Sequence, residues 1–222
     1  LEHRKRRFHI YCNLDRVVDL TAPRARFTQG HELGHYFIDE HRNALLAGTP
    51  PHYSISDQPD AERVVEQEAD LFASHLLMPA SRFSAVFVKQ PSGLEGIRGI
   101  VKEFKVSCAS AAIRFVEQST QPLALAYWRN GKPPWTEVNL AFRNMGFFHL
   151  MNRSELLPPD CATSLAIADN PSVYCDPKAS VSLASFWFNG IHSGSQLDIV
   201  LQEEALRLGR FGVLTIIRPL TK

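Results

Sequence analysis

Two histidines four residues apart, the first followed directly by a glutamate, are the residues of this 222-residue chain whose types and spacing most plainly could do chemistry. They lie in Arg26-Phe27-Thr28-Gln29-Gly30-His31-Glu32-Leu33-Gly34-His35-Tyr36-Phe37-Ile38, which contains the pattern H-E-x-x-H. Positions i and i+4 share one face of a helix, so His31 and His35 can bring two imidazole nitrogens to one cation. Glu32, one position round the helix, can reach a water held by that cation without binding the cation itself. This is the chemistry of zinc-assisted hydrolysis, and it needs a third protein ligand.

Two residues compete for that place. His41 follows His35 by six positions, the spacing of the extended pattern H-E-x-x-H-x-x-G-x-x-H, whose glycine breaks the helix and swings the third histidine back. Ile38 stands where that glycine would be, and a β-branched residue does not favour a left-handed turn. A helix running on from about Ala22 to Glu40 leaves His41 well off the His31/His35 face, as an exposed residue of the charged end Asp39-Glu40-His41-Arg42. The alternative lies between Asp60 and Pro79, where Val65, Ala69, Phe72, Ala73 and Leu76 step by threes and fours as in a packed helix. Asp60 can cap that helix and Pro79 ends it. Glu66 and Asp70 share one of its faces, beside small Ala69 and Ala73 that permit close approach to another helix. Glu66 is the expected third ligand, and Asp70 the group that holds a ligating imidazole by its other nitrogen. Glu68 points elsewhere and reads as part of a solvated acidic stripe. His75 falls on the opposite side of the helix and stays outside the site.

The two stretches together, Arg-Phe-Thr-x-Gly-His-Glu-Leu-Gly-His and Glu-Gln-Glu-Ala-Asp-x-Phe-Ala-x-x-Leu-Leu-Met-Pro, resemble the ImmA/IrrE family of bacterial zinc metallopeptidases over roughly residues 6–80. The resemblance implies one Zn2+ per chain held by His31, His35 and Glu66, with Glu32 as the catalytic base of a gluzincin-like endopeptidase. It implies a cytoplasmic protein whose substrate is a helix-turn-helix transcriptional repressor in stress or mobile-element regulation. The rival reading keeps the zinc but acts by binding a repressor, DNA or a small signal, with peptidase activity lapsed or incidental. Glu32 weighs against it, because a purely structural site has no need of a base beside an open metal position.

The remaining sequence must position these residues, and its composition bounds how. Lys and Arg number 24 against 23 Asp and Glu, so no global field draws the chain to nucleic acid or to an anionic membrane. The longest apolar runs are too short to span a bilayer. Four cysteines without a C-x-x-C pair read as free thiols in a reducing compartment. The first residue is Leu1 rather than Met, which leaves room for upstream sequence.

The expected fold class is α+β. Residues 1–80 form a zincin-like peptidase domain with the active-site helix and a small sheet, 81–120 a helical segment like a helix-turn-helix, and 121–222 a β-rich domain for recognition or sensing. Phe8, Ile10 and Cys12 alternate with polar neighbours and predict a half-buried strand over 8–13, an edge to which an extended peptide could add. The preceding basic run, His3 to Arg7, reads as a solvated strand edge. Residues 43–60 read as a loop beside the site, and its His52 and Tyr53 are candidates to donate to a developing oxyanion.

In the helical segment, Ile97, Ile100, Val101 and Phe104 mark one amphipathic helix, and Ser107 can cap a second carrying Ala111, Ala112, Phe115 and Val116. That second helix offers only Arg114 and Gln118 to base edges, so a structural pair is favoured over DNA reading. Beyond it, Leu123 to Trp128 and Trp135 to Val138 flank Asn130-Gly131 and predict a hairpin. Further strands are expected at Ser182–Phe188 and Val213–Arg218, while Gln202 to Leu208 reads as helix or loop.

Overall fold

Pro23 has the fixed φ that suits a first helical turn, and helix α1 (Pro23–Phe37) begins there. In the computed structural model, which describes residues 2–4, 7–13, 19–48, 60–129, 132–150, 157–170, 176–189 and 199–220, the chain is a mixed α+β protein. His52, Tyr53 and the Asn130-Gly131 turn lie outside the described residues. Two compact units are present: Leu1–Val88 with Ile100–Ser107, and Lys89–Gly99 with Cys108–Lys222.

The first unit is built on a close pair of helices, α1 and α3 (Asp60–Leu77), with α2 (Asp39–Leu46) between them in sequence and α4 (Ala80–Phe87) after them. Ala69 and Ala73 of α3 are fully buried where the two helices meet. Opposite them lie Gly30 and Gly34: a Cβ on Gly34 would stand 3.1 Å from the Cα of Ala69, and one on Gly30 3.2 Å from the Cβ of Ala73. The helices therefore touch almost backbone to backbone, and small residues at both i and i+4 permit it. Arg26, from the motif's leading Arg-Phe-Thr, donates to the carbonyls of Phe104 (2.9 Å) and Lys105 (2.6 Å). There α5 (Leu94–Phe104) ends and Lys105 adopts a left-handed φ of 53°. A two-stranded hairpin, β1 (Glu2–Arg4) with β2 (Arg7–His9), precedes the helices. The strand stops at His9, and Ile10, Tyr11 and Cys12 are exposed, so the alternation expected over 8–13 does not correspond to a buried face.

The second unit carries an antiparallel five-stranded sheet in the order β4-β3-β9-β8-β6. Its strands are β3 (Ala124–Arg129), β4 (Lys132–Val138), β6 (Lys178–Leu183), β8 (Val200–Arg207) and β9 (Val213–Pro219). The hairpin of β3 and β4 and the strand β9 match the sequence expectation. Residues 202–208 do not: β8 is a strand inside the sheet, flanked by β9 and β6. The strand expected at 182–188 lies earlier, as β6, and gives way to a short 3-10 turn at Ala184–Phe186. A second small pair, β5 (His149–Leu150) with β7 (Phe188–Asn189), joins short helices α7 (Leu140–Asn144) and α8 (Ala162–Ala168) around a core that includes Phe142, Phe147 and Trp187.

Helix α6 (Cys108–Gln118) buries Ala111, Ala112, Phe115 and Val116, the four residues its periodicity selects. Arg114 is nearly buried as well, its side chain 11% exposed, which removes it from any base-reading surface. No helix among the described residues is long and apolar enough to cross a membrane.

Candidate metal centre

Helix α1 places His31 and His35 one turn apart, and both are buried. Their Nε2 atoms lie 3.1 Å from each other. Across the tight α1–α3 contact, Glu66 brings Oε2 to 3.2 Å from Nε2 of His31 and Oε1 to 3.4 Å from Nε2 of His35. A tetrahedral ion with bonds of about 2.0–2.1 Å has ligand atoms about 3.3 Å apart, and the two imidazole nitrogens, with one Glu66 oxygen near each, lie close to that spacing. Among the described residues, His31, His35 and Glu66 are the group of metal-binding types whose ligand atoms converge in this way. His35 sits in the last turn of α1, where the carbonyl end of the helix favours a cation.

Asp70 stands one turn beyond Glu66 on α3, and its Oδ1 lies 2.8 Å from Nδ1 of His31. A carboxylate only accepts, so the Nδ1 of His31 carries the proton and its Nε2 lone pair faces the site. Burial opposes protonation of His31, but the hydrogen bond and charge of Asp70, with Glu66 and Glu32 nearby, outweigh it and raise its pKa. Glu32 is thus close enough to act on the His31 ring electrostatically, and it remains partly open to solvent.

The sequence reading of His41 as an exposed residue is overturned, while Glu68 is exposed as expected. His41 is 5% exposed, and its Nδ1 lies 3.3 Å from Nδ1 of His35. Its Nε2 lies 2.9 Å from Oε2 of Glu68. The helix does not run on to Glu40: it stops at Phe37, Ile38 takes an extended conformation (φ −78°, ψ 117°), and α2 starts at Asp39. The chain turns back without glycine because a β-region residue, which a β-branched side chain tolerates well, suffices. His41 arrives behind His35 rather than on the side of its Nε2. The signal was present in the missing glycine, but it argued against the wrong thing: it excluded a left-handed turn and not every turn.

The α1–α3 pair thus carries a candidate metal centre of the H-E-x-x-H kind, with a glutamate from a second helix and the carboxylate of Glu32 beside it. Residues 18–116 match the family model described as the IrrE N-terminal-like domain, Peptidase_M78. That match agrees with the resemblance to the ImmA/IrrE family that the motifs carry, and the matched family is one of peptidases. No curated protein matches the chain. Among solved structures, the chain is similar to a Mycobacterium tuberculosis transcriptional regulator at 12% identity and a TM-score of 0.52. The similarity covers 89% of this chain and 64% of that one, and at this identity it speaks for the fold alone.

Proposed function

We propose that the chain is a zinc-dependent metallopeptidase that cleaves a peptide bond in a specific protein, a helix-turn-helix transcriptional repressor of a bacterial stress or mobile-element system. The observation that carries the reading is the convergence of His31, His35 and Glu66 at zinc-like spacing with Glu32 adjacent. The family match supports peptide hydrolysis, and the description of the structural neighbour as a transcriptional regulator agrees with a regulatory setting. In this reading the first unit is the zincin-like catalytic part, and residues 121–222 serve recognition or sensing.

Zinc in the site would supply a Lewis acid and lower the pKa of a coordinated water toward ~7. His31, His35 and Glu66 would hold the ion. Asp70 keeps the Nε2 of His31 unprotonated and aimed inward. Glu32 takes the proton of the attacking water and passes it to the leaving amine.

The test begins with zinc per chain in protein purified without added metal: one equivalent is expected, falling sharply in His35→Ala. Glu32→Gln then keeps the zinc but cleaves co-expressed helix-turn-helix repressors at least ~100-fold more slowly, the usual scale of a general base. Unchanged turnover would remove Glu32 from the role. Full zinc with no cleaved repressor in a broad screen would favour a regulator that acts by binding.

A further inference from the structure

The two ligating imidazoles face the same requirement and meet it differently. Each must present a bare Nε2 to the ion, so each must carry its single proton on Nδ1. For His31 a carboxylate settles the matter directly, since Asp70 accepts from Nδ1 at 2.8 Å. For His35 the neighbour is not a carboxylate but another imidazole, that of His41, and behind it stands Glu68.

We propose that Glu68 and His41 are positioning residues that fix the tautomer of His35 and so hold its Nε2 ready for the metal. This inference rests on the zinc reading above. The carboxylate of Glu68 can only accept, so the 2.9 Å contact makes Nε2 of His41 the N–H. A neutral His41 then offers a lone pair at Nδ1. That lone pair, 3.3 Å from Nδ1 of His35, accepts the His35 proton and leaves Nε2 of His35 bare, facing Nε2 of His31 and Oε1 of Glu66. The order of donation is His35 to His41 to Glu68, with every proton placed by the carboxylate at its end. Burial protects the relay where it matters, since the side chains of His35 and His41 are each 3% exposed while Glu68 sits at the surface, 52% exposed.

Each segment contributes one member: α1 the ligand, α2 the interposed ring, and α3 the carboxylate. The extended Ile38 between α1 and α2 brings the middle member into place. Partners of ligating histidines typically contribute 10–100-fold in metal affinity, which sets the expected scale.

The experiment uses the full chain in metal-free form and reads two quantities. Long-range 1H–15N correlation spectra report which nitrogen of His35 bears the proton, a property that a merely structural role would not move. Competition with a chromophoric chelator reports the zinc affinity. In the wild type His35 is expected as the Nδ1–H tautomer. Glu68→Ala, an exposed substitution that leaves the fold intact, should mix the tautomers and weaken zinc by about 10-fold. His41→Phe, which keeps a ring in the buried space, should weaken it at least as much. Glu68→Gln retains an acceptor oxygen and should recover most of the affinity. His35 found as Nε2–H in the wild type, or wild-type affinity in both Glu68→Ala and His41→Phe, would overturn this inference alone. A wild-type chain that takes up no zinc would overturn the metal reading and this inference with it.

Discussion

Each unit turns a glutamate inward, Glu203 fully buried and Glu66 partly so, and the two are solvated in opposite ways. Glu203 of β8 has no solvent exposure, and N–H groups meet its oxygens: the backbone of Thr163 in the first turn of α8 at 2.9 Å, and Nε1 of Trp187 at 2.9 Å. Around it Ser180 accepts from the backbone of Ala162, and the hydroxyls of Thr163 and Thr215 bond each other. Donors converge on a carboxylate there, and the result is a cross-brace between helix and sheet. At Glu66 the convergence runs the other way, because two imidazoles whose Nδ1 protons are engaged elsewhere turn lone pairs toward a carboxylate. A cluster of acceptors at about 3.3 Å spacing suits a cation. Burial of an acidic side chain thus says little about function until the polarity of its neighbours is known.

The largest expected effect separates the two glutamates by the sign of what they need. Glu203→Ala leaves the Thr163 N–H buried without this acceptor and opens space beside Trp187, which should cost about 3 kcal/mol given ~1–3 kcal/mol for each unsatisfied buried group. Glu66→Gln in metal-free protein should stay within about 1 kcal/mol of wild type, because it removes one charge from a cluster already rich in acceptors. Denaturant unfolding of both variants with chelator present measures the pair. Equal losses would mean that Glu66 is a structural brace like Glu203, and the contrast would be gone.

That contrast also explains what the sequence could and could not disclose. The helices α1 and α3 and the convergence of His31, His35 and Glu66 were legible because helical periodicity and motif spacing act over a few residues. The strand β8 was not. Its buried positions Leu201, Glu203 and Ala205 alternate as a strand should, but a glutamate in the middle reads as polar unless one knows that Thr163 and Trp187 wait for it. Both donors are distant in sequence from Glu203, so the pattern made sense only after folding. The burial of His41 and its contact with the exposed Glu68 escaped for a related reason: each residue was assigned by the helix that carries it, whereas their meeting depends on the turn at Ile38. Local chemistry was readable, and chemistry assembled across elements was not.

A second test asks whether the cation acts on one unit or on both. Zinc that binds only the folded first unit should stabilise it by about 2.7 kcal/mol at a free concentration one hundred times Kd. Amide exchange in α1 and α3 should then slow by about 100-fold on adding zinc, while amides of β8 and β9, braced by Glu203, keep their rates. Equal slowing in β8 and β9 would show that the two units open together, and the separation drawn between them would not hold energetically.

The smallest effect probes why Glu66 reaches the histidines at all. Ala69, three residues after Glu66, is pressed against Gly34, and a methyl group there would stand 3.1 Å from the Ala69 Cα and 3.2 Å from its carbonyl oxygen. Backbone atoms cannot rotate away, so in Gly34→Ala helix α3 must retreat by a few tenths of an ångström. Helix propensity returns about 1 kcal/mol and crowding removes about 1–3 kcal/mol, for a net loss near 1 kcal/mol. Zinc affinity should fall more than stability does, since Glu66 moves away with α3 while His31 and His35 stay on α1. Gly30→Ala is the control: it meets the Cβ of Ala73 at 3.2 Å and lies one turn farther from Glu66 along the contact. If Gly34→Ala bound zinc as tightly as the wild type, helix spacing would not be what sets the third ligand, and the small residues would serve packing alone.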